Sequence, residues 1–274
     1  MLVELSAYDL SMAAILVVLL GLLSTVMKLG IARQLYIAAA RTTIQLLLIG
    51  LILKTLFAST SLLFVLLIAL IMISVAGWEI LSRQQRKLKG WWGFGISTGS
   101  LFVSSFLITL LCLFTVIQAD PWYSPQYAIP LLGMLLGNTM TGIALGMDRL
   151  VQNAWQQRPV IEQRLMLGQT AEQAITDIRR EAMRAGMIPI INSMAAAGLV
   201  SLPGMMTGQI LAGAAPVEAV KYQILIMFMI SSGTGLGVIS VLWLISKRLF
   251  DERERLCFKC LLKPEKLTNR TKVQ

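Results

Sequence analysis

Histidine is absent from this 274-residue chain. That removes imidazole both as a general base and as a metal ligand. Cysteine is scarce, with three residues in all. Three cannot build a disulfide scaffold, and they fit a reduced or membrane compartment. Charged residues make up 14% of the chain, against ~25% in soluble domains, which excludes a soluble globular enzyme and an intrinsically disordered chain. No G-x-x-x-x-G-K-[ST] stretch occurs, so the chain has no P-loop to cradle nucleotide phosphates. No apolar stretch encloses a pair of carboxylates, although a proton-coupled carrier needs ionisable groups there. Glu79 and Asp148 fall near the ends of apolar stretches, where water reaches them. A self-powered pump is therefore disfavoured, and energy is expected from another polypeptide.

What the chain does have is apolar length. Hydrophobic residues make up 56%, and the mean hydropathy is +0.73. One membrane span needs ~20 predominantly apolar residues, and seven segments qualify. They are about Leu10–Met27, Tyr36–Phe57, Leu62–Ile80, Phe94–Ile117 and Tyr127–Met147, one beginning near Met187 and interrupted at Pro203–Gly204, and Ile224–Ser246. Their lengths suit helices and exceed a barrel strand. The expectation is an all-α polytopic membrane protein, a single domain over residues 1–274 with about seven transmembrane helices. Glu4 and Asp9 stand where a signal peptide would carry Lys or Arg, so the first segment is expected to be a retained span.

Charge sets the expected orientation. With the N-terminus outside and each segment crossing once, four stretches become cytoplasmic: Lys28–Arg41, Arg83–Lys89, Arg149–Arg184, and the tail from Lys247. They hold 22 of the 24 Lys and Arg residues, leaving Lys54 and Lys221 outside. This positive-inside bias accounts for the net charge of +10 without nucleic acid. It predicts a multi-pass protein of the inner (plasma) membrane with a cytoplasmic C-terminus.

The longest internal polar stretch, about 149–186, lies between spans five and six. From Ile161 to Arg184, Leu165, Leu167, Ala171, Ala174, Ile175 and Ile178 recur at helical spacing, which predicts an amphipathic helix. The plain reading is a helix resting on the membrane. The functional reading comes from Glu162, Gly168 and Ile178. Their spacing is similar to the coupling-loop motif of ABC-transporter permeases, E-A-A-x3-G-x9-I-x-L-P, with Gln163-Arg164 in place of the alanines and Arg180-Glu181 in place of Leu-Pro. A small residue at Gly168 lets one short helix turn sharply from another and offer a knob to an ATPase groove.

Within the spans, polar residues are few. Gln45 and Arg41 lie four apart on one helix face. Asn138 sits in an otherwise apolar run, and Asn192 and Ser193 open the sixth segment. Arg41, Gln45, Asn138, Asn192 and Ser193 are expected either to border a polar cavity or to hydrogen-bond between helices. Pro203 breaks a helix ladder, Gly204 removes bulk, and such broken helices line substrate sites in transporters; a kinked packing helix is the alternative. Met205 and Met206 follow the break; thioethers suit soft metals, but membrane methionines most often serve packing. Gly133, Gly137, Gly142 and Gly146 form two Gly-x-x-x-Gly pairs, a pattern for close helix approach. Cys257 and Cys260 make half a zinc site at most, and chance in a basic tail explains them better.

Longer stretches carry a resemblance. Arg41-Thr-Thr-Ile-Gln-Leu-Leu-Leu-Ile-Gly50, Ile129-Pro-Leu-Leu-Gly-Met-Leu-Leu-Gly-Asn138, Leu165-Met-Leu-Gly-Gln-Thr-Ala-Glu-Gln-Ala174, Arg179-Arg-Glu-Ala-Met-Arg-Ala-Gly-Met-Ile-Pro189, Gly198-Leu-Val-Ser-Leu-Pro-Gly-Met-Met-Thr-Gly208 and Ala219-Val-Lys-Tyr-Gln-Ile224 follow in order. Together they resemble the FetB family of iron-export permeases of ABC transporters, over most of the chain up to about Glu254. The resemblance implies a permease subunit, paired as a homodimer in the lipid bilayer. A separate ABC ATPase subunit would bind ATP and Mg2+, with no cofactor in this chain and no covalent chemistry. It implies export of iron or another metal. Plant relatives are linked to aluminium tolerance and sugar-nucleotide transport, so an ABC permease for a sugar nucleotide stays open. A stand-alone carrier or channel driven by an ion gradient is the rival from another class, and a neighbouring ATPase gene discriminates the two.

Overall fold

A computed structural model describes residues 6–58, 61–84, 91–118 and 120–256. Among these the fold is all-α. With no water in hydrocarbon to satisfy the backbone, each apolar run closes its hydrogen bonds within itself. The helices are α1 (Ala7–Val26), α2 (Ala32–Ala58), α3 (Leu62–Ser82), α4 (Trp92–Cys112, continued by a π-turn at Leu113–Ile117), α5 (Pro125–Gln156), α6 (Arg158–Met166), α7 (Ala171–Ala196), α8 (Gly204–Leu211) and α9 (Pro216–Arg248). Six of them, α1 to α5 and α9, are long and apolar enough to cross a membrane.

α5 and α9 form the centre, with α3, α4 and α7 packed around them. Glycine permits this closeness. A Cβ on Gly233 would lie 2.7 Å from Leu135, and one on Gly237 2.6 Å from Thr139. Around these contacts Ile80, Leu101, Ile143, Met147, Leu150, Ile175, Leu242 and Ile245 are fully buried. α4 adds the buried hydroxyls of Ser97, Ser100, Ser104, Ser105 and Thr109, small enough for helices to approach. α1 and α2 pair with each other at the periphery, where Gly21 receives the Tyr36 ring and the Tyr36 hydroxyl donates to the Val18 carbonyl at 3.2 Å.

The region expected to be the sixth span is built differently. Gly142 and Gly146 of α5 face Gly186 and Ala182 of α7, and also Val238 and Leu242 of α9. So α7 runs antiparallel to α5, and α9 runs parallel to it. The chain passes from one end of the bundle to the other between the start of α7 and the start of α9, yet no single long apolar helix makes that passage. The second half of α7, a break at residues 197–203 and the eight-residue α8 make it together. The amphipathic segment and the start of the sixth apolar segment are one continuous 26-residue helix. Its apolar stripe does not lie on a membrane surface: Ala174, Ile175, Ile178 and Ala182 are buried in the main core. The outer face of this part of α7 stays polar, with Glu172, Asp177, Arg180 and Glu181 exposed.

The break falls at Ala197, earlier than Pro203. Ala197 leaves the helical region, Gly198 takes φ +85°, and its N–H bonds to the Ser201 carbonyl at 2.9 Å. Pro203 then serves as the N-cap of α8, a place where its missing N–H costs nothing.

Candidate functional site

Two regions gather the polar residues singled out in the sequence. The first is the elbow between α6 and α7. Gly168 stands at φ +86°, with nothing within 4 Å of where a Cβ would be. That left-handed backbone, easy for glycine and strained for other L-residues, reverses the chain. Thr170 then caps α7: its hydroxyl accepts from the Gln173 N–H, while the Gln173 side chain accepts from the Thr170 N–H, a capping box. Arg164 ties the two helices together through Asp177 at 2.9 Å. Glu162 is held by Arg158 one turn away at 2.7 Å.

At the elbow tip Met166 and Leu167 are 79% and 83% exposed. These two adjacent apolar side chains stand beside the Gly168 turn and outside the buried core. Leu167 belongs to the apolar stripe that the spacing predicts, whereas Met166 falls outside that periodicity. The signal was there, since the stripe must end where the helix ends. Ile178 is buried against the core, and Arg180 is exposed. Glu181 pairs with Arg149 of α5 at 2.6 Å. The hydrogen bond from that guanidinium, with its charge, holds the Glu181 carboxyl below the usual carboxylate range. The chain after α9 also reaches the elbow: Glu254 accepts from the Ala171 N–H at 3.0 Å, and a carboxylate there complements the α7 N-terminus.

The second region is a cavity of about 710 Å3 between α2, α3 and α5. Gln34, Arg41, Thr42, Gln45, Glu79 and Arg83 line its polar side; Ile71, Met72, Val75, Leu136 and Met140 line the rest. Glu79 accepts from Arg41 at 3.2 Å through one oxygen and meets Arg83 at 3.5 Å through the other. Of the residues expected to border a pathway, Arg41 and Gln45 meet here. Glu79, read from the sequence only as a water-accessible end residue, completes the cluster.

The other pathway residues lie elsewhere. Asn138 is exposed on α5, and its amide donates to the Met134 carbonyl of its own helix at 2.8 Å. Asn192 and Ser193 are exposed on α7. Met205, on α8, packs partly against the core, and Met206 is half-buried. Of the four spaced glycines, Gly142 and Gly146 are packed by α7 and α9, and Gly133 faces Met72 at 3.2 Å, while Gly137 has nothing within 4 Å. Cys257 and Cys260 lie outside the described residues. Among the described residues no group of three or more His, Cys, Asp or Glu side chains is placed to hold a metal ion.

The fold and this polar inventory define a multi-pass α-helical membrane protein. The chain belongs to the uncharacterised protein family UPF0014, whose profile matches residues 7–250. It is 40% identical to the UPF0014 membrane protein slr1647 of Synechocystis over 83% of this chain and 87% of that one. It is 33% identical to the Escherichia coli protein named probable iron export permease protein FetB, over 90% and 93%. It is 34% identical to the UPF0014 membrane protein YjkA of Bacillus subtilis, over 90% and 97%. No solved structure matches it.

Proposed function

We propose that this chain is the permease subunit of an ABC transporter that exports iron or another metal. Two copies form the pathway, and separate ATPase chains bind ATP and Mg2+. The observation that carries the reading is the α6–Gly168–α7 elbow, a rigid turn presenting Met166 and Leu167 at the basic end of the bundle. A groove on an ATPase accepts such a projection, and its movement passes along α7, which is packed by glycine against α5. The similarity to a protein named as an iron export permease supports the cargo class.

In this reading the chain crosses the membrane seven times, the sixth passage being the broken α7–α8 unit. Arg83, Arg149, Arg180, Lys247 and Arg248 share one end with the elbow, through the contacts Gln84–Met147, Arg149–Glu181 and Arg179–Ser246. Trp122, Pro125, Glu218 and Lys221 belong to the opposite end. The positive-inside bias then puts the elbow and C-terminus in the cytoplasm and the N-terminus outside the inner membrane. Gly137, Asn138 and Thr141 leave a small, polar strip on the outer face of α5, suited to close approach by a second copy. Between two such faces, Asn138, Asn192, Ser193 and the break before Met205 and Met206 would border the pathway, with Arg41 and Gln45 at its lateral cavity.

Co-expression with a candidate ABC ATPase subunit, followed by reconstitution in vesicles, tests the reading. Metal-stimulated ATP hydrolysis by the complex is expected. A chain that transports without any ATPase overturns the proposal and leaves a gradient-driven carrier, and stimulation by sugar nucleotides alone reassigns the cargo.

A further inference from the structure

We infer that the Arg41–Glu79–Arg83 cavity receives an oxyanion, so that a metal handled there travels as an anionic carboxylate or phosphate complex and not as a bare cation. This rests on the permease reading and names the chemical class its lateral cavity takes.

The charge balance carries the inference. Two guanidiniums face one carboxylate, so the cavity's described ionisable groups leave one positive charge in excess. Among the described residues Glu79 is the only carboxylate in the lining, and each of its oxygens already faces an arginine. A bare hard cation needs several oxygen donors with net negative charge. This cavity offers Gln34, Thr42 and Gln45, two thioethers, and arginines that repel a cation. An arginine fork matches a carboxylate or phosphate through paired N–H donors. Arg41 and Arg83 are each about half exposed, at 51% and 45%, while Glu79 is at 23%. The carboxylate thus pairs with two guanidiniums of the lining, each with N–H donors beyond the one it engages. Arg41 and Glu79 lie toward one end of the apolar helices α2 and α3, where water and a charged solute reach them. The volume, about 710 Å3, lies within the range of small-molecule sites, ~300–1,000 Å3.

The test uses the full chain in phosphatidylcholine nanodiscs, titrated calorimetrically with citrate, ferric citrate and ferrous ion alone. Citrate, free or with iron, should bind. Arg41→Gln should weaken it about ten- to hundredfold, the usual effect of losing one charge-assisted hydrogen bond. Glu79→Gln removes the opposing charge and should retain or tighten citrate binding, whereas a purely structural ion pair would lose stability without that gain. Citrate binding insensitive to Arg41→Gln overturns the inference. So does ferrous ion binding alone and losing affinity in Glu79→Gln. Nanodiscs containing phosphatidylglycerol separate the remaining source of phosphate: Arg41-dependent lipid retention that soluble citrate cannot displace also overturns it. None of these titrations involves the ATPase, so their failure is distinct from a failure of the permease assignment, which is read from complex formation.

Discussion

Gly142 of α5 and Gly186 of α7 stand backbone against backbone. A Cβ on Gly142 would lie 2.9 Å from the Gly186 carbonyl oxygen, and one on Gly186 would lie 2.7 Å from that of Gly142. Val238 of α9 closes on both. Three helices therefore share one contact, and α7 cannot slide along α5 without separating from it. This couples the elbow at the start of α7 to the centre of the bundle.

A methyl group at this contact meets a carbonyl that cannot rotate away. Gly186→Ala should therefore destabilise by about 1–3 kcal/mol, as overpacking does. Gly99→Ala, in the middle of α4 with nothing within 4 Å of its Cβ position, should be neutral or stabilising by up to ~1 kcal/mol, since alanine is the better helix former. Thermal unfolding of the two variants in detergent should shift in opposite directions, and equal shifts would mean the contact is looser than its geometry.

The elbow predicts a graded series at Gly168. Leucine at its φ of +86° is strained by about 1–2 kcal/mol, whereas asparagine tolerates that region. Gly168→Leu should insert normally but lose ATPase pull-down, and Gly168→Asn should keep most of it. Met166→Asp and Leu167→Asp should also lose pull-down while leaving thermal stability unchanged, because both side chains are exposed. A Gly168→Leu protein that binds its ATPase and transports at the wild-type rate would falsify the coupling assignment.

Orientation is read by labelling. In a chain whose three cysteines are replaced by serine, a probe at Ser124 should react from outside the cell and one at Gln169 only after permeabilisation. The reverse pattern removes the basic end from the cytoplasm and the elbow from any cytoplasmic ATPase.

The homodimer makes a separate prediction. In the same background, Asn138→Cys should form an oxidative cross-link between copies. Leu63→Cys, also exposed but on α3, should not. Cross-linking at both positions would indicate random collision in the membrane.

Acid should weaken the tie between α5 and α7. The Arg149 guanidinium holds the Glu181 carboxyl below its ordinary range. Its contribution is present above the unfolded-state pKa and is lost as pH falls through the lowered folded-state value. Glu181→Gln should flatten the acid limb of a plot of unfolding temperature against pH, and leave neutral-pH stability little changed because the pair is half exposed.

The sequence by itself determined the solvent of this protein, the positions of most spans and the sign of each end. Apolar runs of about twenty residues leave a backbone no other way to satisfy its hydrogen bonds in hydrocarbon, and the clustering of Lys and Arg is a one-dimensional fact. It also located the bend at Gly168 and joined Arg41 to Gln45, because both depend on spacing along one helix. Tertiary structure decided what depends on neighbours far away in the chain. Periodicity showed an apolar stripe on α7 but not which surface covers it, and α5 and α9 cover it. Four glycines carried one pattern, yet Gly142 and Gly146 are packed by α7 and α9 and Gly137 is bare. Glu79 acquired its place only when α2 brought Arg41 to it across 38 residues of sequence. Hydrophobic burial and charge pairing are pairwise in space, so a chain states what each residue can do and the fold alone chooses its partner.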